Sequence, residues 1–178
     1  MALAFVLSLF LAHADTSNCQ ISPQQKEIYL AMTYDEFDQQ LKGGWRIEFL
    51  KNCVLESAEL IDHYRLHGQK SLDAGQIRTL YWHAAQLYAM LGKMDAARPR
   101  FQKSYDPNEP KDSPARWNSY VRGTVAYFEF NRDGLMAARD DVAQGNGNSQ
   151  NLELLEGMIR CFDLPRREAY SEKCRASH

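Results

Sequence analysis

A stretch of thirty residues in the middle of the chain, 81–110, limits the possible folds more than any other feature. Apolar side chains recur at helical spacing along 77–91, a segment that overlaps the start of this stretch. Gly92 follows, and glycine is the residue type that most often ends a helix. A second, shorter stripe covers 95–105, and Pro107 cannot continue it. Two helices joined by so short a turn must run antiparallel. The pattern therefore predicts a helical hairpin.

The rest of the chain divides into similar units. Capping signals include Ser22 before a proline, the Thr33 to Glu36 capping box, Ser71, and Ser113 before another proline. No segment alternates with period two for long enough to form a strand. The sequence predicts an all-α fold of antiparallel helix pairs. The further helices are expected at 23–32, 45–67, 113–128, 133–143, 150–162 and 165–175.

Residues 1–14 have the character of a leader. An apolar run of signal-peptide length ends in the trio Ala12, His13 and Ala14, and it is shorter than the roughly 20 residues needed to span a bilayer. We expect cleavage after Ala14, which leaves 15–178 as a single all-α domain in the periplasm or secreted. No stable membrane insertion is expected after the leader is removed.

Four cysteines form an even set, which an oxidising compartment would pair. Three connectivities are possible. Cys161 and Cys174 are expected on the two helices of the last hairpin, where antiparallel packing brings them together. That pairing leaves Cys19 for Cys53.

The hairpin at 81–110 resembles a tetratricopeptide repeat, in which aromatic and small residues recur at fixed offsets. The matching positions are Tyr81, Ala84, Ala85, Tyr88, Gly92, Ala97, Phe101 and Ser104. Tyr120 and Tyr127 repeat Tyr81 and Tyr88 at an interval of 39 residues and indicate a weaker second copy. The resemblance implies a short solenoid of stacked hairpins at 69–178. Residues 15–68 match no repeat closely, and we interpret them as N-terminal capping helices.

In that family the concave face binds a protein or peptide segment, and it is formed by the first helix of each pair. The corresponding positions here are Thr79, Trp82, Gln86, Ala89 and Met90, then Asn118, Val121, Val125, Phe128 and Glu129. We expect Trp82 to be a partly exposed anchor of this groove. The alternative is that residues 15–68 fold into the groove and bury these side chains.

Charge and chemistry narrow the function further. A net charge of −2 provides no electrostatic footprint for nucleic acid, which we do not expect as a partner. Glu59, His63 and His67 are spaced four residues apart and share a helix face, but no partner motif accompanies them, so we interpret them as solvated. We expect no metal or cofactor. No set of nucleophile, base and oxyanion donor is recognisable, and we do not expect an enzyme.

The sequence therefore favours an exported scaffold that binds a protein or peptide partner in the periplasm. The alternative is an immunity or inhibitor protein that neutralises a specific enzyme or toxin in the same compartment. A small exported domain with disulfides fits either role.

Overall fold

The computed structural model describes residues 19–68, 70–145, 147, 149–170 and 172–175. The predicted leader, 1–14, lies outside these residues. Within the described ranges, no helix is long and apolar enough to cross a membrane.

The described residues form helices connected by turns, with no strand among them, which confirms the predicted all-α class. A π-helical turn at Asp35–Gln39 and a 3-10 turn at Arg166–Tyr170 accompany the α-helices. The α-helices are α1 (Pro23–Ala31), α2 (Arg46–Leu50), α3 (Val54–His67), α4 (Ala74–Met90), α5 (Met94–Ser104), α6 (Trp117–Phe128), α7 (Arg132–Ala143), α8 (Ser149–Arg160) and α9 (Glu172–Arg175).

Helices α4 and α5 pack as one hairpin, and α6 and α7 pack as the next, with α3 against α4 and α8 against α7. Small residues permit the close approach of these helices. Ala85 and Ala97 are fully buried in the first hairpin. In the second, a Cβ atom on Gly123 would lie 2.7 Å from Leu155 of α8 and 3.2 Å from Ala138 of α7. The helices of each hairpin therefore pack closely at their small residues.

The single helix predicted at 45–67 is wrong, because α2 and α3 are separated by a turn. Asn52 adopts a left-handed conformation with φ of 73°, which asparagine tolerates better than most residues. Cys53 follows and is bonded to Cys19. Apolar spacing continues across the turn, so periodicity alone does not reveal this break.

Several helix ends also differ from the prediction. Helix α4 is capped by Asp73, whose carboxylate accepts from the backbone N–H of Gln76, rather than by Ser71. Helix α6 begins at Trp117, where both oxygens of the Glu109 carboxylate accept backbone N–H groups. The carboxylate therefore substitutes for a local cap. The final predicted helix, 165–175, is divided into the 3-10 turn and α9.

Both expected cysteine pairs are confirmed. Cys19 is joined to Cys53 and Cys161 to Cys174, with Cα–Cα distances of 5.3 and 5.9 Å. The first bond attaches the N-terminal tail to the start of α3. The second joins α8 to α9.

Candidate binding surfaces

The predicted groove side of the hairpins, which we call the inner face, is covered by the protein itself. We call residues 33–52 the covering segment. At one end its Asp38 bonds His83 of α4 at 2.8 Å, and at the other Asn52 accepts a hydrogen bond from Arg167, beyond α8. Phe37, next to Asp38, is fully buried in the core, and Trp45 between the two points is also buried. The segment therefore reaches from the first repeat-like hairpin to the C-terminal turn.

Asp38 is the carboxylate that accepts the hydrogen bonds of this contact, and it is fully buried. Its Oδ1 accepts from Trp45 Nε1 at 2.9 Å and lies 2.8 Å from His83 Nδ1, while Oδ2 accepts from Gln39 at 2.6 Å. Burial opposes ionisation of the carboxyl group, but His83, Trp45 and the Arg46 charge together lower its pKa to about 2. Asp38 is thus a carboxylate at neutral pH, so His83 Nδ1 carries the proton and donates it.

All three tryptophans of the chain meet at this place. The ring of Trp82 lies 5.7 Å from that of Trp117 and 5.1 Å from that of Tyr120. His83 lies between Trp82 and Trp45, with ring centroids 4.8 and 5.4 Å away. We call these five residues the tryptophan cluster. Trp82 Nε1 is buried and has no hydrogen-bond partner among the residues described.

The structure gives the predicted groove residues a different environment from the one expected. Trp82 is only 7% exposed, so the expectation of a partly exposed anchor is wrong. Its ring is buried because α6 and His83 pack against it, and His83 in turn is held by the covering segment. The buried members are Trp82, Gln86, Ala89, Val121 and Phe128, the half-buried ones are Thr79, Met90, Asn118 and Val125, and Glu129 is exposed.

The two polar residues of the second copy have local partners. Asn118 holds the backbone of Asp106, accepting from its N–H and donating to its carbonyl, both at 2.8 Å. Glu129 forms an ion pair with Arg98 at 3.0 Å. Asn118 therefore connects α6 to the preceding loop through these two hydrogen bonds.

The turns of the two hairpins are equivalent at an interval of 38 residues, whereas the paired tyrosines recur at 39. Gly92 and Phe130 are both left-handed, with φ of 71° and 59°. The next N–H group bonds Tyr88 O at 2.9 Å in the first hairpin and Ala126 O at 2.8 Å in the second. In this register Tyr120 is the equivalent of Trp82. Alignment on the paired tyrosines concealed this relation, whereas alignment on the turns would have found it.

A second surface lies where the turns of successive hairpins come together. Leu91, Phe130 and Leu164 are exposed at three consecutive turns, and we call these residues the turn edge. An Arg98 to Glu129 ion pair joins the first turn to the second, and an Arg132 to Asp163 pair at 3.4 Å joins the second to the third. Three apolar side chains are thereby presented along one edge.

Arg166 lies beside the turn edge, among aromatic rings. Its Cζ is 3.7 Å from the ring centroid of Phe130, 4.3 Å from that of Tyr127 and 4.9 Å from that of Phe162. Nη1 donates to the carbonyl of Phe162 at 2.6 Å. Nε and Nη2 are buried, and neither has an acceptor in the part of the chain that is described. One edge of the guanidinium is therefore used and the other is unsatisfied.

The possible metal ligands on α3 form a separate group. Glu59, His63 and His67 are exposed, and the two imidazole centroids are 4.6 Å apart. Burial, and then the neighbouring His67, lower the pKa of His63. His63 and Glu59 also line an open cavity of about 700 Å³. Another group with ligand-like spacing is Cys19, Cys53 and Glu56, but its two sulfur atoms form a disulfide and offer no thiolate.

No known protein family, curated protein or solved structure matches the chain. Two surfaces remain as candidates for recognition, the covered tryptophan cluster and the turn edge. The cluster has its contacts within the protein. The turn edge offers exposed apolar side chains and an unsatisfied cation, which are features of a surface that recognises something else.

Proposed function

We propose that the protein is an exported helical scaffold that binds a protein or peptide partner through its turn edge. The observation that carries this proposal is Phe130, which is 73% exposed although it is a large aromatic residue. Large exposed apolar side chains occur at interaction sites, and aromatic residues are frequent anchors in them.

The conformation of Phe130 supports the same role. A left-handed φ is unfavourable for a bulky side chain, and the equivalent position in the preceding hairpin is Gly92, which adopts it without strain. Folding alone would therefore favour glycine at Phe130 as well. Strained residues of this kind are concentrated at ligand-binding positions, which is consistent with a binding role for this ring.

The inner face is better explained as structure. Asp38 and His83 join two distant segments, and the tryptophan rings enclose the imidazole. This arrangement orients and buries the pair instead of presenting it to a substrate. We therefore assign the Asp38 and His83 pair to stability and give the protein a non-enzymatic role.

The two disulfides favour an oxidising compartment, because such bonds persist there. Together with the leader predicted at 1–14, they support a periplasmic or secreted location. A partner is therefore sought among exported proteins.

The proposal can be tested by capture from a periplasmic extract of the native host, using the tagged protein and two variants. Phe130→Glu places a charge on the turn edge. Leu41→Glu is the control, because Leu41 is 79% exposed but lies on the covering segment. We expect proteins captured by the wild type and by Leu41→Glu to be lost with Phe130→Glu.

The identity of those proteins separates the two roles. One enzyme captured at equal stoichiometry would indicate an inhibitor or immunity protein, whereas several envelope proteins would indicate an adaptor. Capture of the same proteins by all three forms would contradict binding through the turn edge.

A further inference from the structure

We propose that Arg166 is the specificity residue of the turn edge and binds an Asp or Glu side chain that lies beside an apolar residue in the partner. This inference rests on the proposed function and names the chemistry that the partner must supply. The partner's carboxylate would accept from Nε and Nη2, and its apolar neighbour would contact Phe130 and Leu164.

The guanidinium geometry fits a carboxylate. Nε and Nη2 are parallel donors on one side of the group, which is the fork that takes both oxygens of a carboxylate. Because the carbonyl of Phe162 already occupies Nη1, the fork is the part of Arg166 left for a ligand. Buried donors without acceptors are unfavourable, so a carboxylate would satisfy a group that is left unsatisfied within the described chain.

The surrounding charges support an acidic partner. Asp163, the carboxylate of the adjacent turn, is paired with Arg132, and Glu168 is paired with Lys173 at 3.5 Å. Among the described residues, none provides a carboxylate within ion-pair distance of Arg166. Among the described residues, Arg166 therefore has aromatic rings and one backbone carbonyl as neighbours but no counterion.

Phe130 covers the fork and can uncover it. Its ring packs on the guanidinium at 3.7 Å, yet the residue is 73% exposed. Rotation of this side chain would open a path to Nε and Nη2. The displaced ring would then contact the apolar residue beside the partner's carboxylate. Movement of Phe130 would thus permit both the carboxylate contact at Arg166 and the apolar contact at the ring.

The test uses two synthetic probes with the disulfide-bonded protein. One is a short peptide of alternating glutamate and leucine with blocked ends, and the other replaces each glutamate with glutamine. Binding is followed by NMR at the Nε–H resonance of Arg166. We expect this resonance to shift and saturate with the glutamate peptide only.

Two variants test whether binding of the glutamate peptide depends on the Arg166 side chain. Arg166→Lys keeps the charge but removes the fork, and we expect it to weaken binding of the glutamate peptide by about tenfold. Arg98→Lys is the matched control, since Arg98 is on the same edge but is paired with Glu129, and we expect less than about a twofold change. Thermal unfolding checks that both variants fold. The wild-type titration decides the question even if Arg166→Lys does not fold.

Equal binding of the two peptides, an unmoved Arg166 resonance, or unchanged binding by folded Arg166→Lys would overturn the carboxylate assignment. These results are independent of the capture experiment. If capture still depends on Phe130, the scaffold role stands and only the acidic specificity is lost. If the peptide binds at Arg166 but capture fails, the site stands without the proposed partner.

Discussion

The inner face and the turn edge differ in how their chemistry is used. The inner face contains an ionised aspartate, a histidine and three tryptophans, but these groups contact one another and the covering segment. The turn edge has fewer such groups, yet Phe130 is exposed and strained and Arg166 has unsatisfied donors. Aromatic and charged residues at groove positions therefore do not by themselves make a binding site. The large aromatic residue of the turn edge, Phe130, is exposed, whereas Trp82 of the inner face is buried.

The largest expected effect is that of Trp82→Ala on the inner face. Because its buried ring contacts Trp117 and Tyr120, its loss should reduce the free energy of unfolding by roughly 3–5 kcal/mol, as measured by denaturant titration. Leu66→Ala removes an exposed side chain and should change it by less than about 0.5 kcal/mol. A small loss of stability for Trp82→Ala, together with weakened partner binding, would return the binding site to the groove.

The two disulfides should affect the two regions differently. Cys19 and Cys53 close a loop with a separation of 34 residues and Cys161 and Cys174 one of 13, so replacing each pair by serine should cost about 4 and about 3 kcal/mol. Only loss of the Cys19 to Cys53 bond, at the end of the covering segment, should alter the tryptophan fluorescence of the folded protein. Equal fluorescence changes in both double variants would mean that the covering segment does not depend on its disulfide.

Acid should weaken the inner face through Asp38. The folded-state pKa of Asp38 lies below the ordinary value of 3.8, so its contribution to stability is present above about pH 4 and is lost as the pH falls towards 2. Wild-type protein should therefore lose more stability between pH 6 and pH 3 than Asp38→Asn, as measured by urea unfolding. Parallel curves for wild type and Asp38→Asn would show that Asp38 is not held ionised by its partners.

The smallest effect on stability is expected at the turn edge. Phe130→Gly relieves the left-handed strain and removes little buried area, so the free energy of unfolding should remain constant or rise by up to about 1 kcal/mol. Partner capture should nevertheless decrease. A clear loss of stability in this variant would make Phe130 a structural residue and remove the basis for the proposed surface.

Much of the helical framework follows from local sequence. Ser22 caps α1, the Thr33 to Glu36 capping box forms, and Gly92 lies in the turn directly after α4. Each feature satisfies or terminates backbone hydrogen bonds within a few residues. The break at Asn52 was not predicted, since α2 and α3 keep the same apolar spacing across it.

The candidate site could not be predicted from local sequence signals in the same way. The exposure of Phe130 and the unsatisfied fork of Arg166 arise where three turns meet, and no short motif marks that place. The sequence resemblance instead indicated the groove, with Trp82 as its anchor. The positions of the groove could be assigned by analogy, but their exposure could not.

Local sequence patterns predict the all-α class, the hairpin turns and the two cysteine pairs, since helix periodicity, capping and hairpin geometry act over short distances along the chain. Which surface is available depends instead on tertiary packing. Asp38 and His83 are separated by 45 residues, and Asn52 and Arg167 by 115, yet these contacts place the covering segment over the inner face. Burial depends on such long-range packing, because the surroundings of a side chain are set by segments far away in the sequence.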